Sequence, residues 1–395
     1  MSEPPRPAFV HRDVYSRGLD QLFSLLRAPA DTQTAVASSL LVRNGITLLS
    51  GSYGTGKTQL VNLIKRTFFR DAGDGYDFDY ETCHQDLTAF DVLYHLDLAE
   101  LGKGREVVHP KQFVLARLKF LNEIQRANPS LYNALLPLLS ERTITYRDMV
   151  FSSPNFVLLM DQNPHDEASS EIPRAFYDRI DFIINLAAID LADSRKLFHS
   201  RKQEYGIEWD TLEKISPGHV MKASDMEDIW QDVIRVGIGE KEYLKAFFLL
   251  RSFSSCDKTD RSTTGKGFHL DCESCKFKAE LCAHVIQVPG QRSLNSILKL
   301  SQARAWLAGR ESVAFEDLLF SLPYSMAHRL IIKREELVTF ENSFEWLKKR
   351  AIGEILRNKF DSWDKAADWF LSGETGKTKA AAREDLVLRD LLEGQ

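Results

Sequence analysis

No run of uncharged apolar residues in this 395-residue chain reaches the roughly 18 needed to cross a bilayer. The opening stretch, MSEPPRPAFVHRD, is polar and proline-rich and lacks the apolar core of a secretion signal. Basic charge is not in excess: 51 Lys and Arg against 56 Asp and Glu leave a net charge of −5. No global positive field is therefore present to hold nucleic-acid phosphates. Neither internal repeats nor low-complexity tracts occur. These absences predict a cytoplasmic protein with no membrane partner and argue against nucleic acid as a ligand. Cysteine is scarce, with five in all, but four of them fall between Cys256 and Cys282. In a reducing compartment such clustering reads as metal binding before disulfides.

What is present is an ordinary globular composition, 44% apolar and 27% charged, in a chain long enough for two or three domains. Residues 14–43 carry helical apolar spacing. Ile46-Thr47-Leu48-Leu49 is a short buried-strand signal that runs into a glycine-rich turn. Beyond it Leu60, Val61, Ile64 and Phe68 repeat at helical spacing. Further strand signals lie at 118–121, 156–160 and 182–186. Strands alternating with helices predict an α/β fold with a parallel sheet. The expected domains are a flexible N-terminus at 1–19, an α/β nucleotide-binding domain at 20–190, an all-α domain at 191–330 and a helical tail at 331–395. A polar insertion at 252–288 interrupts the helical part.

The turn reads Gly51-Ser52-Tyr53-Gly54-Thr55-Gly56-Lys57-Thr58, a complete G-x-x-x-x-G-K-[ST] phosphate loop between strand and helix. Its glycines let successive N–H groups converge on one point, at the positive end of the following helix. Lys57 is expected on the outer phosphates of ATP and the Thr58 hydroxyl on Mg²⁺. Hydrolysis needs carboxylates from a neighbouring strand, one supporting the metal and one acting on water. Glu123, just after the strand at 118–121, is the candidate base. The residue before it is Asn122, which brings no negative charge, so slow turnover is expected. Asn163, at the end of the next strand, is the candidate to hold the attacking water. Arg179, and as second choice Arg174, could reach a neighbouring subunit's phosphate.

In this order the motifs resemble the MoxR branch of the AAA+ ATPases. Residues Gln85 to Val92 are similar to the segment after that family's phosphate-loop helix. Asn122-Glu123-Ile124-Gln125-Arg126-Ala127 resembles its Asp-Glu-Ile-Asn-Arg-Ala signature with two substitutions. Ala134 to Thr145 is similar to its following helix and hairpin, although Pro137 is expected to kink that helix. Gln162-Asn163-Pro164 resembles its first sensor, and Pro173 to Ile180 its arginine-bearing helix. Pro289-Gly290-Gln291-Arg292-Ser293 resembles its second sensor, which implies that Arg292 reaches the γ-phosphate. Segments 308–318 and 328–330 resemble its lid. The resemblance implies a homo-hexameric ring with ATP bound between subunits. It further implies a client protein, or a partner carrying a von Willebrand A domain.

The cysteines lie outside that resemblance. Cys256-x15-Cys272-x2-Cys275-x6-Cys282 contains one chelating knuckle. Four thiolates suit Zn²⁺, or alternatively a [4Fe–4S] cluster, within a segment too poor in apolar residues to order itself. His284 could replace one thiolate, but reads more simply as a surface histidine. Cys83 reads as a structural thiol.

Overall fold

Strands that are apolar on both faces can be buried on both faces only in a parallel sheet covered by helices. Ile46–Ser50 (β1), Leu118–Asn122 (β3), Val157–Gln162 (β4) and Phe182–Asn185 (β5) are strands of that kind. With Phe78–Thr82 (β2) they form a five-stranded sheet of order β2-β3-β4-β1-β5, parallel throughout. Strand β2, one of the two edges, is absent from the expectations above because it lacks the apolar run that marks the other edge, β5. The β2 residues, Phe-Asp-Tyr-Glu-Thr, are half-exposed or exposed. The register pairs Leu49 of β1 with Asp161 of β4, and Leu121 of β3 with Met160. Asn122 and Asp161 therefore follow one another on adjacent strands, at the C-terminal edge where α/β sheets place ligands.

This computed structural model describes residues 11–26, 28–71, 75–164, 166, 171–187, 194–195, 221–254, 275–277, 279–287 and 290–374, with a few positions between 377 and 389. The helical stretch expected at 14–43 is two helices, Arg12–Leu25 (α1) and Ala30–Leu40 (α2). Lys57–Phe68 (α3) buries the residues its periodicity marked, Leu60, Val61, Ile64 and Phe68. Pro129–Glu141 (α4) starts at Asn128, whose side chain accepts the Leu131 N–H at 2.9 Å. It continues through Pro137 to Glu141 and is followed by a hairpin of Thr143–Tyr146 with Met149–Ser152. Ala223–Ile234 (α5) closes this part of the chain.

Packing divides the chain into two units: residues 1–235 with 306–309, and residues 236–305 with 310–395. The second is built on Glu240–Ser252 (α6), Gln291–Leu307 (α7), Phe315–Met326 (α8) and Phe360–Ser372 (α9). It is mainly helical, as expected of the lid, with one short strand pair added. Val285–Gln287 pairs antiparallel with Ile331–Ile332, in strands too short to show a period of two in the sequence. No described helix is long and apolar enough to cross a membrane.

One strand residue contradicts its surroundings. Lys119 lies inside β3 with 0% exposure. Its amine donates to the carbonyls of Val114 and Ala116 and lies 4.8 Å from the centre of the Phe156 ring. Burial pushes this amine from 10.5 down to about 7. Between those values the unfolded chain carries a proton that the folded chain rejects. Stability should therefore fall as the pH drops through that window and level off below it. In denaturant unfolding, wild type should lose about 2–3 kcal/mol more than Lys119→Met on going from about pH 9.5 to about pH 7.5. Parallel pH profiles for the two proteins would refute it.

Candidate functional site

Strand β1 ends at Ser50 and helix α3 begins at Lys57, so residues 51–56 must turn the chain within one loop. Gly56, at the helix N-cap, has φ 82°, a left-handed conformation that other residues adopt at a cost. At Gly51 the constraint is space: a Cβ there would lie 2.5 Å from the Leu186 carbonyl oxygen. No side chain caps α3, and its first turn carries no acid. Its leading N–H groups and the positive end of its dipole are thus available to an anion. The Lys57 amine folds back to donate to the carbonyls of Gly51 at 2.7 Å and Ser52 at 3.1 Å.

This loop opens on a cavity of about 310 Å³ lined by Tyr53, Gly54, Thr55, Gly56, Lys57, Thr58 and Gln59 on one side. Asn122, Glu123, Asp161 and Asn163 line the other. Of the expected site residues, the fold brings together the tip of the phosphate loop, the candidate base and the candidate water-holding amide. Gly51 and Ser52 form the base of the loop and do not line the cavity.

Glu123 has φ 53°, an unusual conformation for a residue with a side chain. Its N–H donates to Asp161 Oδ1 at 2.6 Å, which fixes the backbone where the chain leaves β3. Asp161 itself is 3% exposed, and its other oxygen lies 4.0 Å from the Lys57 amine. Burial raises its proton affinity, against the opposing effects of the Glu123 N–H and of Lys57. The Glu123 carboxylate lies 3.4 Å from Arg126. Arg126 also donates to Asp166 at 2.7 Å and to the Tyr53 hydroxyl at 3.1 Å, so it links the candidate base to the phosphate loop. Asp161 and Arg126 were not singled out from the sequence. A signal for Asp161 existed, because an acid that follows a buried apolar run near a phosphate loop is a candidate in its own right.

The remaining expected residues lie elsewhere. Arg174 is exposed at the start of a short helix, Arg174–Tyr177. Arg179 donates to Ser140 Oγ and to the Ala175 carbonyl, both at 2.7 Å. Neither lines the cavity of its own chain. Arg292 sits in the first turn of α7, in the second unit. Cys83 is buried, and burial pushes its thiol up to about 12, in keeping with a structural thiol. Cys256 and Cys272 lie outside the described residues, while Cys275 and Cys282 are both half-buried. Among the described residues no group of three or more His, Cys, Asp or Glu side chains is placed to hold a metal. His284 is not a surface residue. Its side chain is 14% exposed, its Nδ1 lies 2.6 Å from Glu336, and its buried Nε2 has no hydrogen-bond partner among the described residues. The Trp346 indole holds the other Glu336 oxygen at 2.9 Å.

Comparison with known proteins agrees with this geometry. Residues 46–180 match an AAA domain of the dynein-related subfamily, and residues 281–343 match an AAA lid domain. Protein MoxR of Methylorubrum extorquens is 24% identical over 330 residues, covering 80% of this chain and 85% of that one. Protein MoxR of Paracoccus denitrificans is 25% identical over 304 residues, covering 74% and 84%. The crystal structure of a candidate ATPase from Cytophaga hutchinsonii shares the fold at a TM-score of 0.66 and 19% identity, over 88% of this chain and 94% of that one.

Proposed function

We propose, from a chain that belongs to the AAA+ family and is similar to its MoxR members, that it binds ATP with Mg²⁺ and hydrolyses it as a homo-hexameric ring that remodels a client protein, one with a von Willebrand A domain. The observation that carries this reading is the cavity in which the phosphate loop, Glu123 and Asn163 meet. ATP fits the residues present. The uncapped N-terminus of α3 and the Lys57 amine would take the phosphates, and the hydroxyl of Thr58, which lines the cavity, would hold Mg²⁺. Magnesium would neutralise charge on the outer phosphates. Glu123 orients the attacking water and accepts its proton, while Asn163 holds that water in place. Arg179, or else Arg174, acts across a subunit boundary, which is why it needs no place in its own cavity. The resemblance further implies a γ-phosphate contact for Arg292, at the position of the second sensor.

A second reading is a nucleotide-ordered scaffold or switch with little turnover. Asn122 favours it, and so does the pairing of Glu123 with Arg126, which must be broken before the base can act. A nucleic-acid translocase has the acidic charge balance against it.

In the polar insertion, Cys256, Cys272, Cys275 and Cys282 hold Zn²⁺, or alternatively a [4Fe–4S] cluster, as a structural clasp. The environment of His284 suits a metal in this segment. One ring nitrogen is pinned by a carboxylate and the other is buried and unpartnered, an arrangement common in metal-ligating histidines.

One preparation tests these statements together. Protein purified anaerobically should contain bound zinc or iron, form a ring by mass measurement with ATP, and turn ATP over, while Lys57→Ala should not. Absence of turnover with ATP still bound selects the scaffold. Metal-free protein with intact folding removes the clasp.

A further inference from the structure

Asn122 ends strand β3, where a carboxylate is expected on the magnesium side of the nucleotide, and an amide brings no charge there. Its side-chain nitrogen lies 3.4 Å from the Thr82 hydroxyl, on the neighbouring edge strand. On the opposite side of β3, one strand away, stands a carboxylate in a position where few proteins would keep one. Asp161 is 3% exposed, is the penultimate residue of β4 after four apolar ones, and lines the same cavity as Lys57, Thr58, Asn122 and Glu123.

We propose that Asp161 supplies the charge Asn122 lacks, so that the carboxylate supporting Mg²⁺ has moved from the end of β3 to the end of β4. The proposal rests on the ATP reading above and deepens it. Three observations converge on it. Register pairs Leu121 with Met160, the residues just before 122 and 161, so the displacement is about one strand width, on the order of 5 Å. Asp161 also pairs in register with Leu49 of β1, the strand that feeds the phosphate loop, and one of its oxygens lies 4.0 Å from the Lys57 amine. Finally, the protein alone compensates this carboxylate incompletely. One oxygen accepts the Glu123 N–H, but among the described residues the cation facing the other oxygen is the Lys57 amine at 4.0 Å, beyond hydrogen-bond distance, and two of its three N–H groups donate to the carbonyls of Gly51 and Ser52. A buried charge left in that state is costly, and a divalent cation at the cavity wall offsets the cost.

A purely structural role for Asp161, clamping the backbone of Glu123, makes a different prediction. An amide oxygen can accept the Glu123 N–H as a carboxylate does, so Asp161→Asn keeps the clamp and removes the charge. The full-length protein should be titrated with a fluorescent ATP analogue, in excess Mg²⁺ and in EDTA, alongside Asp161→Asn, Asn122→Asp and the double variant. Thermal melts verify that each is folded. In wild type Mg²⁺ should tighten binding. In Asp161→Asn that gain should shrink by about tenfold or more, with affinity in EDTA retained, since a charge-assisted contact is worth at least that much. The double variant, with the acid back on β3, should recover most of the gain. An undiminished Mg²⁺ effect in Asp161→Asn, or a folded double variant that recovers nothing, overturns the proposal. Failure of wild type to bind the analogue with or without Mg²⁺ is a different result, and it sinks the ATP reading itself.

Discussion

Glu123→Gln is expected to bind ATP about as well as wild type and to hydrolyse it roughly a thousandfold more slowly, the usual worth of a general base. The change leaves the backbone arrangement intact, because Asp161 holds the N–H of residue 123 and not its side chain. It removes a cavity-lining carboxylate that can approach water once Arg126 lets go. Equilibrium binding and single-turnover hydrolysis, measured separately, decide the matter. Equal turnover in the two proteins would take the base role from Glu123. Weakened binding with unchanged chemistry would make it a ligand for the nucleotide and not a catalyst.

Asp317→Ala should destabilise the second unit by about 3 kcal/mol, the low end for leaving buried partners unpaired. Asp317 is 0% exposed in α8 and accepts from Arg304 and, through both of its oxygens, from Arg310 at 2.6 and 2.7 Å. It also accepts the Ala314 N–H at 2.8 Å, capping its own helix. Both arginines keep part of their side chains in water, which softens the loss. Asp317→Asn should cost less, because the amide still caps the helix. Denaturant unfolding followed by a probe in this unit provides the measurement. If the alanine variant unfolds at the wild-type midpoint, the cluster contributes nothing to stability.

Arg310 and Asp317 fall in segments that the sequence had already marked by family resemblance, but their pairing could not be read there. The phosphate loop was legible because its chemistry is local. Eight consecutive residues hold every group that turns the chain and presents it to an anion, and the strand before and helix after announce themselves by apolar periodicity. Glu123 and Asn163 were legible for a related reason, since each follows a buried run whose end is marked by a change to polar residues. Strand β2 was not, because its residues are half-exposed or exposed and carry no apolar run, unlike those of the other edge strand, β5.

The sequence by itself therefore determined four of the sheet's five strands, the phosphate loop, the candidate base and the order in which they come along the chain. Tertiary structure decided which charges share a cavity. Asp161 meets Glu123 across 38 positions, and Arg126 meets Tyr53 across 73. Lys119 reads as an interruption in an apolar strand until the fold wraps two carbonyls around its amine. Local spacing encodes backbone geometry, whereas the worth of a charge depends on burial and on partners that arrive from other strands.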